Sequence, residues 1–213
     1  MAVPVRDRYY TPEEYLAQER EAEYKSEYIA GQVVAMSGVS REHSLINGNL
    51  VRVLSSQLLD RPCEVHASAM RVKVGAKVNA QSLYTYPDIA VVRGDVQFED
   101  DQVDTLLNPT LIIEVLSPST EAYDRGAKFG YYRRLPSLRE YMLVAQDKML
   151  VEHFVREDDG WLLTETTDPD AVVRLPSIGC EVPLAEVYRK IVFPTDLTDA
   201  ELQPPGPAGP GGN

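Results

Sequence analysis

The sequence predicts one α/β or α+β domain, a mixed β-sheet flanked by helices. Three observations carry that expectation. The chain has 213 residues, enough for one domain that buries roughly 70% of its unfolded surface without disulfides. Helical and strand-like patterns alternate along it. Two near-continuous apolar runs, DIAVV at 88–92 and LIIEVL at 111–116, read as strands lying deep in a sheet. A hydrophobic share of 44% and a charged share of 25% exclude collagen, coiled coil and wholesale disorder.

The elements follow in order. Thr11-Pro12-Glu13-Glu14 is a helix start, with Thr11 as cap, proline in the first turn and Glu14 closing a capping box, and the helix should run to about Lys25. Residues 27–36 read as two short strands about a turn at Ala30-Gly31. Leu45, Ile46, Leu50, Val53, Leu54 and Leu58 recur at helical spacing over 43–59. Met70, Val72 and Val74 alternate with Arg71 and Lys73, a half-buried strand. The acidic stretch 95–104 is a surface loop by composition. A third helix should span 124–135 and stop at Pro136, followed by strands at 141–145, 151–155 and 161–164 with a turn at Asp159-Gly160. Trp161, Leu162 and Leu163 read as core. The expected organisation is an arm at 1–9, the domain at 10–193, and a Pro/Gly-rich disordered tail at 194–213.

The charge balance narrows function. Lys and Arg total 21 against 33 Asp and Glu, a net charge of -12. That is the wrong sign for coating nucleic acid through a whole-surface field, while a local groove or metal-bridged phosphate binding stays open. Cys63 and Cys180 form no CxxC pair, and no apolar run reaches the ~18 residues of a membrane span. The start of the chain has no apolar signal segment. These features point to a reducing, cytoplasmic setting and no membrane partner. His43, His66 and His153 are too scattered for a zinc motif. Nucleophile elbows and phosphate-binding glycine loops are absent as well.

Two acids ask for an explanation. Glu114 sits in the middle of LIIEVL, where both strand faces read as buried, and Asp88 follows Pro87 at the mouth of the DIAVV strand. A carboxylate removed from water costs on the order of several kcal/mol unless it is paired, hydrogen-bonded or metal-bound. Two carboxylates on neighbouring strands suit Mg²⁺ or Mn²⁺, which take hard oxygen ligands and keep water and phosphate. The alternative is that Asp88 caps a turn and Glu114 pairs with a buried Arg or Lys. Lys128 falls on the same helix stripe as Tyr131, Tyr132 and Leu135. It either sets its ammonium beside the acids, to stabilise a developing phosphate charge, or packs its stem and reaches water. Residues 125–139 hold five basic side chains and no acid; of these, Arg125 is the candidate for flanking phosphate, with Arg133 and Arg134 reading as a solvated helix end. His43 could touch substrate from the start of its helix, though a helix-terminal histidine is more often structural.

The pair Pro87-Asp88 followed by Glu114 on an apolar strand resembles the PD-(D/E)xK nuclease superfamily. The run EVLSPSTEAYDRGAKFGYYRRLPSLREYMLV is similar to the Uma-type family of proposed restriction endonucleases within it, as are YTPEEYL, SEYIAGQVVAMSG and the His43 helix, so the likeness covers residues 10–193. The resemblance implies a restriction-endonuclease-like mixed sheet and a metal-dependent phosphodiesterase. In it Asp88 and Glu114 hold Mg²⁺ or Mn²⁺, Glu27 completes the metal site, and Lys128 stabilises the phosphate. It implies nucleic acid, DNA first, as the partner and permits a homodimer, for which the sequence marks no face. One departure concerns the lysine that the superfamily places two residues after the glutamate. This chain has Leu116 there, and Lys128 would replace it from the following helix. Ala30 and Gln32 also depart, standing where related proteins tend to have Asp and Glu. The missing lysine and the charge of -12 support a competing reading. On that reading the protein is a catalytically silent nuclease-fold module that binds nucleic acid or protein.

Overall fold

The capping box at Thr11 forms as expected: Thr11 Oγ1 accepts from Glu14 N at 3.2 Å and Glu14 Oε2 from Thr11 N at 2.9 Å. The helix they start, α1 (Pro12–Glu21), ends four residues earlier than the sequence suggests. The Glu19 carboxylate binds the Ser26 backbone N–H at 3.0 Å, and the chain turns there to enter a strand. The computed structural model describes residues 8–75 and 82–193. Most of the expected arm and the whole of the expected tail lie outside the described residues.

Strands β1 (Ser26–Ile29) and β2 (Gln32–Ala35) form a hairpin in which Ile29 faces Gln32. Its two-residue turn puts Ala30 at φ 50° and Gly31 at φ 97°, the pair of left-handed conformations that fits the twist of a hairpin. Position 30 is thus a turn position that favours Asp, Asn or Gly, which gives the Ala30 departure a backbone meaning and not a chemical one. Ser40 caps α2 (Arg41–Leu58), accepting from His43 N at 3.1 Å.

Next come β3 (Cys63–Ala67), β4 (Arg71–Val74), β5 (Leu83–Thr85), β6 (Ile89–Arg93), β7 (Thr105–Leu106) and β8 (Leu111–Leu116). The third helix is three joined pieces: α3 (Glu121–Tyr123), a π-helical turn (Asp124–Lys128) and α4 (Phe129–Tyr132). It begins before the expected residue 124 and stops short of 135. The chain closes with β9 (Glu140–Ala145), β10 (Val151–Glu157), β11 (Gly160–Thr166), β12 (Val172–Leu175), β13 (Cys180–Pro183) and α5 (Leu184–Val187).

The single mixed sheet of the sequence reading is two mixed sheets and a ribbon. One sheet runs β2-β1-β5-β4-β7, the other β11-β10-β9-β8-β6-β3, and β12-β13 forms the ribbon. The parallel pairs are β4/β7 and β8/β9. Alternation along β8 assigns its faces. Leu111, Ile113 and Val115 join the core shared with α2, the ribbon and α5, whereas Ile112 and Leu116 join the core shared with the first sheet and α4.

Three expectations differ from the structure. β4 is buried at all four positions, not at every second one, because the acidic stretch folds over it. Lys73 pairs with Glu99, and Arg71 with Asp104, so the loop's acids neutralise the strand's cations. Leu162 and Leu163 are exposed, since β11 is an edge strand with open faces, and of the three expected core residues Trp161 alone packs inward, edge-on to Phe129 at 5.2 Å. The hairpin turn before β11 falls on Asp158-Asp159, one residue earlier than expected.

Leu50, in the middle of α2, is 0% exposed in the larger core. Leu50→Ala should cost about 2–5 kcal/mol, a lost transfer term plus a cavity term. Urea unfolding should show it as a lower midpoint with an unchanged slope.

Candidate active site

The antiparallel register of β6 and β8 pairs Ile89 with Ile113, and carried one residue further it sets Asp88 opposite Glu114. Both side chains leave the same sheet face, the one that looks toward the first sheet. Hydrogen bonds lock the pair. Asp88 Oδ2 accepts from Val115 N at 2.8 Å, and Glu114 Oε2 lies 3.4 Å from Asp88 N. His43, in the first turn of α2, brings Nε2 to 3.1 Å from Asp88 Oδ2.

Across the gap, Glu27 of β1 points back from the first sheet. Its Oε1 accepts from Thr85 Oγ1 and from Tyr86 N at 3.2 Å. Lys128 enters from the π-helical turn, an uncommon conformation that recurs at functional sites. Its Nζ lies 3.0 Å from Glu114 Oε1, 3.4 Å from Glu27 Oε1 and 3.5 Å from Asp124 Oδ1. Tyr132, one turn further on, donates to Glu114 Oε1 at 2.9 Å. Two sheets and one helix thus converge on one ammonium.

Burial decides the electrostatics. Glu114 is 3% exposed and Lys128 6%. Burial disfavours the Lys128 ammonium, but Glu114, Glu27 and Asp124 outweigh it and hold its pKa well above the usual lysine range. Glu114 moves well above the usual carboxylate range: burial is the main cause, Lys128 opposes it, and Asp124, Asp88 and Glu27 reinforce it. Burial raises Asp124 as well. Three carboxylates thus share one cation, and burial together with their mutual repulsion favours the protonated forms of Glu114 and Asp124.

These groups line one cavity of about 580 Å³. Its inner end is polar, with Glu27, His43, Asp88, Glu114, Asp124 and Lys128; its outer wall carries Val34, Met36 and Val39. The hydrogen bonds to Asp88 fall on Oδ2, leaving Oδ1 without one among the described residues. Glu114 Oε2 has only its long contact with Asp88 N. Two opposed hard oxygens fit Mg²⁺ or Mn²⁺ completed by water and phosphate. They do not make an all-protein cage, and among the described residues no three His, Cys, Asp or Glu side chains are grouped to hold an ion.

The structure thus gathers five of the six residues singled out from the sequence. Glu27 joins through Lys128, and His43 bears on Asp88. The sixth, Arg125, lies outside the cavity lining: its Nε donates to Glu152 at 2.8 Å and its Nη1 pairs with Glu121. Sequence reasoning missed Asp124 as a site residue by treating it as the first residue of a helix. The signal was the four-residue spacing from Asp124 to Lys128 on one helix face. Tyr132 was read as packing alone.

Residues 12–185 match the family model described as "Uma2: Putative restriction endonuclease". The chain belongs to the Uma2 family. The chain is also similar to two proteins of Synechocystis sp.: the uncharacterized protein sll1609, 37% identical over 81% of this chain and 96% of its own length, and the uncharacterized protein slr1290, 38% identical over 86% and 93%. The fold matches a crystal structure from Anabaena variabilis described as a "putative nuclease belonging to DUF820". Its TM-score is 0.68 at 21% identity, over 84% of this chain and 97% of that one. The Uma2 chain and that structure share the fold: α+β with mixed sheets. No helix among the described residues is long and apolar enough to cross a membrane.

Removing one member of the cluster should be costly. Lys128→Met leaves Glu114, Glu27 and Asp124 without their cation and should destabilise by about 3–5 kcal/mol, with part recovered in the Lys128→Met/Glu114→Gln double variant. The sign of the pH effect follows from Glu114. Its folded pKa is raised, so the folded state holds the proton longer than the unfolded one, and this contribution is complete below the usual carboxylate range and lost as pH rises through the folded value. Glu114→Gln should therefore gain stability relative to the parent over the window that opens above the usual carboxylate range and closes at the raised folded value. Urea midpoints at both ends of that window check it.

Proposed function

We propose that this Uma2 protein is a divalent-metal-dependent nuclease that hydrolyses phosphodiester bonds of nucleic acid, DNA first. The observation that carries the reading is the cross-strand pair Asp88–Glu114 at the cavity's inner end, with the Lys128 ammonium 3.0 Å from Glu114. Membership in a family described as "Putative restriction endonuclease" and the fold of a solved protein described as a "putative nuclease" support it.

The residues divide the work. Asp88 and Glu114 would hold Mg²⁺ or Mn²⁺, which when bound supplies a water of lowered pKa and stabilises the leaving oxygen. His43 and the Val115 N–H fix the Asp88 carboxylate, so its free oxygen is aimed before any ligand arrives. Lys128 neutralises charge that develops on the phosphate, and Glu27 and Asp124 keep it protonated and in place. Leu116 is 3% exposed on the same strand face as Glu114. Lys128 reaches that face from the helix above it, which makes up for the lysine absent from position 116.

A second reading has one observation in its favour. Lys128 already satisfies three carboxylates, so a non-cleaving module would use the cluster as a structural salt link. The two readings part on metal. The nuclease reading expects Mn²⁺ binding in calorimetry, lost in Asp88→Ala and Glu114→Ala, and tighter at higher pH because a metal takes the deprotonated carboxylate and burial raises the Glu114 pKa. It also expects cleavage of labelled DNA that EDTA abolishes and that Lys128→Met lowers by about 10²–10³-fold. A folded wild type that binds no metal, with and without a nuclease-resistant oligonucleotide, would leave the structural salt link.

A further inference from the structure

The β1–β2 hairpin has a face that the proposed chemistry does not use. The register pairs Glu27 with Val34, so Glu27, Ile29, Val34 and Met36 leave the same side, and all four line the cavity. Glu27 is spent on Lys128. The three apolar side chains form a wall continued by Val39, and Val34, Met36 and Val39 are 47%, 40% and 64% exposed. A cluster of exposed aliphatic side chains at the rim of a polar site points to a ligand with an apolar surface.

The charge around the cavity says which ligand. Duplex binders draw affinity from several Lys and Arg contacts to phosphates. Among the described residues lining this cavity, Lys128 is the one Lys or Arg, and three carboxylates already share it. Arg125, the nearest cation in sequence, is held by Glu121 and Glu152. The whole chain carries a net charge of -12. A long phosphate backbone therefore finds little to hold it here. A base does: the aliphatic wall stands on one side, and hydrogen-bonding side chains on the other. Ser40 donates to Gln146 at 2.6 Å across the rim, and Ser117 lies 2.9 Å from Thr120, oxygen to oxygen. The Tyr123 hydroxyl lines the cavity, feels Glu27, Lys128 and Asp124, and has no hydrogen-bond partner among the described residues. The volume of about 580 Å³ is that of a small-molecule site, room for a nucleotide and not for a double helix.

We propose that the cavity takes an unpaired nucleotide, so that the substrate is a single strand or a frayed end. Its base lies against Val34, Met36 and Val39, and its phosphate reaches the acids and Lys128. This rests on the nuclease reading and adds the substrate class to it. The test compares a labelled single-stranded oligonucleotide with a blunt duplex of the same length, binding measured in Ca²⁺ and cleavage in Mg²⁺ or Mn²⁺. The single strand should bind at least ~10-fold more tightly and be cut faster. The slope of log affinity against log salt should be shallow, about -0.7 to -1.4, for one or two phosphates. Val34→Ser/Met36→Ser, both at exposed positions, should lower single-strand affinity about tenfold without changing that slope. A duplex bound as tightly or more tightly, with a slope of about -5 or steeper, would overturn the inference while the nuclease reading stands if that duplex is cut. Metal binding without capture or cleavage of either nucleic acid would overturn both.

Discussion

A carboxylate in the middle of a strand buried on both faces has to be compensated, and in this protein that requirement organises the site. Glu114 is 3% exposed on β8, so water alone cannot solvate its charge. Lys128 and Tyr132 come to it from one helix, and the Asp88 backbone from the neighbouring strand. Lys128 is itself buried, so it needs more counter-charge than Glu114 supplies, and Glu27 and Asp124 provide it. Each member justifies the burial of the next. Replacing a buried ion pair by apolar side chains is often neutral or stabilising, so stability alone does not account for keeping one here.

The fold makes this cluster possible by bringing two sheets together at one end. The register of β6 and β8 fixes Asp88 against Glu114, and the β1–β2 hairpin carries Glu27 to the opposite side. The third helix closes the gap through a π-helical turn that directs both Asp124 and Lys128 inward. A second charge network lies nearby, where Arg71 and Lys73 are held by Asp104 and Glu99. That network neutralises the cations of β4, which is buried at all four positions.

Much of this was legible in the sequence, for definite reasons. The capping box, the α2 periodicity and the two apolar strands are local patterns, and local patterns survive folding. Asp88 and Glu114 stood out because acids beside apolar runs violate the pattern around them. The partition into two sheets was not legible, since β5 and β7 are three and two residues long and are strands only through their neighbours, β1 and β4 for β5 and β4 for β7. Nor was the burial of β4, which depends on Glu99 and Asp104 folding back from a segment that reads as solvent-exposed. Arg125 shows the same limit. Its position in the sequence suggested the site, and its partners, Glu121 and Glu152, drew it elsewhere.

The functional account makes the cluster a site held ready: Lys128 waits among acids that keep it charged, and Asp88 is oriented before anything binds. The distinctive claim is that Asp88 and Glu114 jointly take an ion from the cavity side. Anomalous diffraction from a crystal soaked in Mn²⁺ tests it most directly. The account predicts one strong manganese peak bonded to an Asp88 oxygen and a Glu114 oxygen, with Lys128 still on Glu27 and Asp124. A well-ordered cavity without manganese, or manganese bound only to surface acids away from β6 and β8, would contradict it.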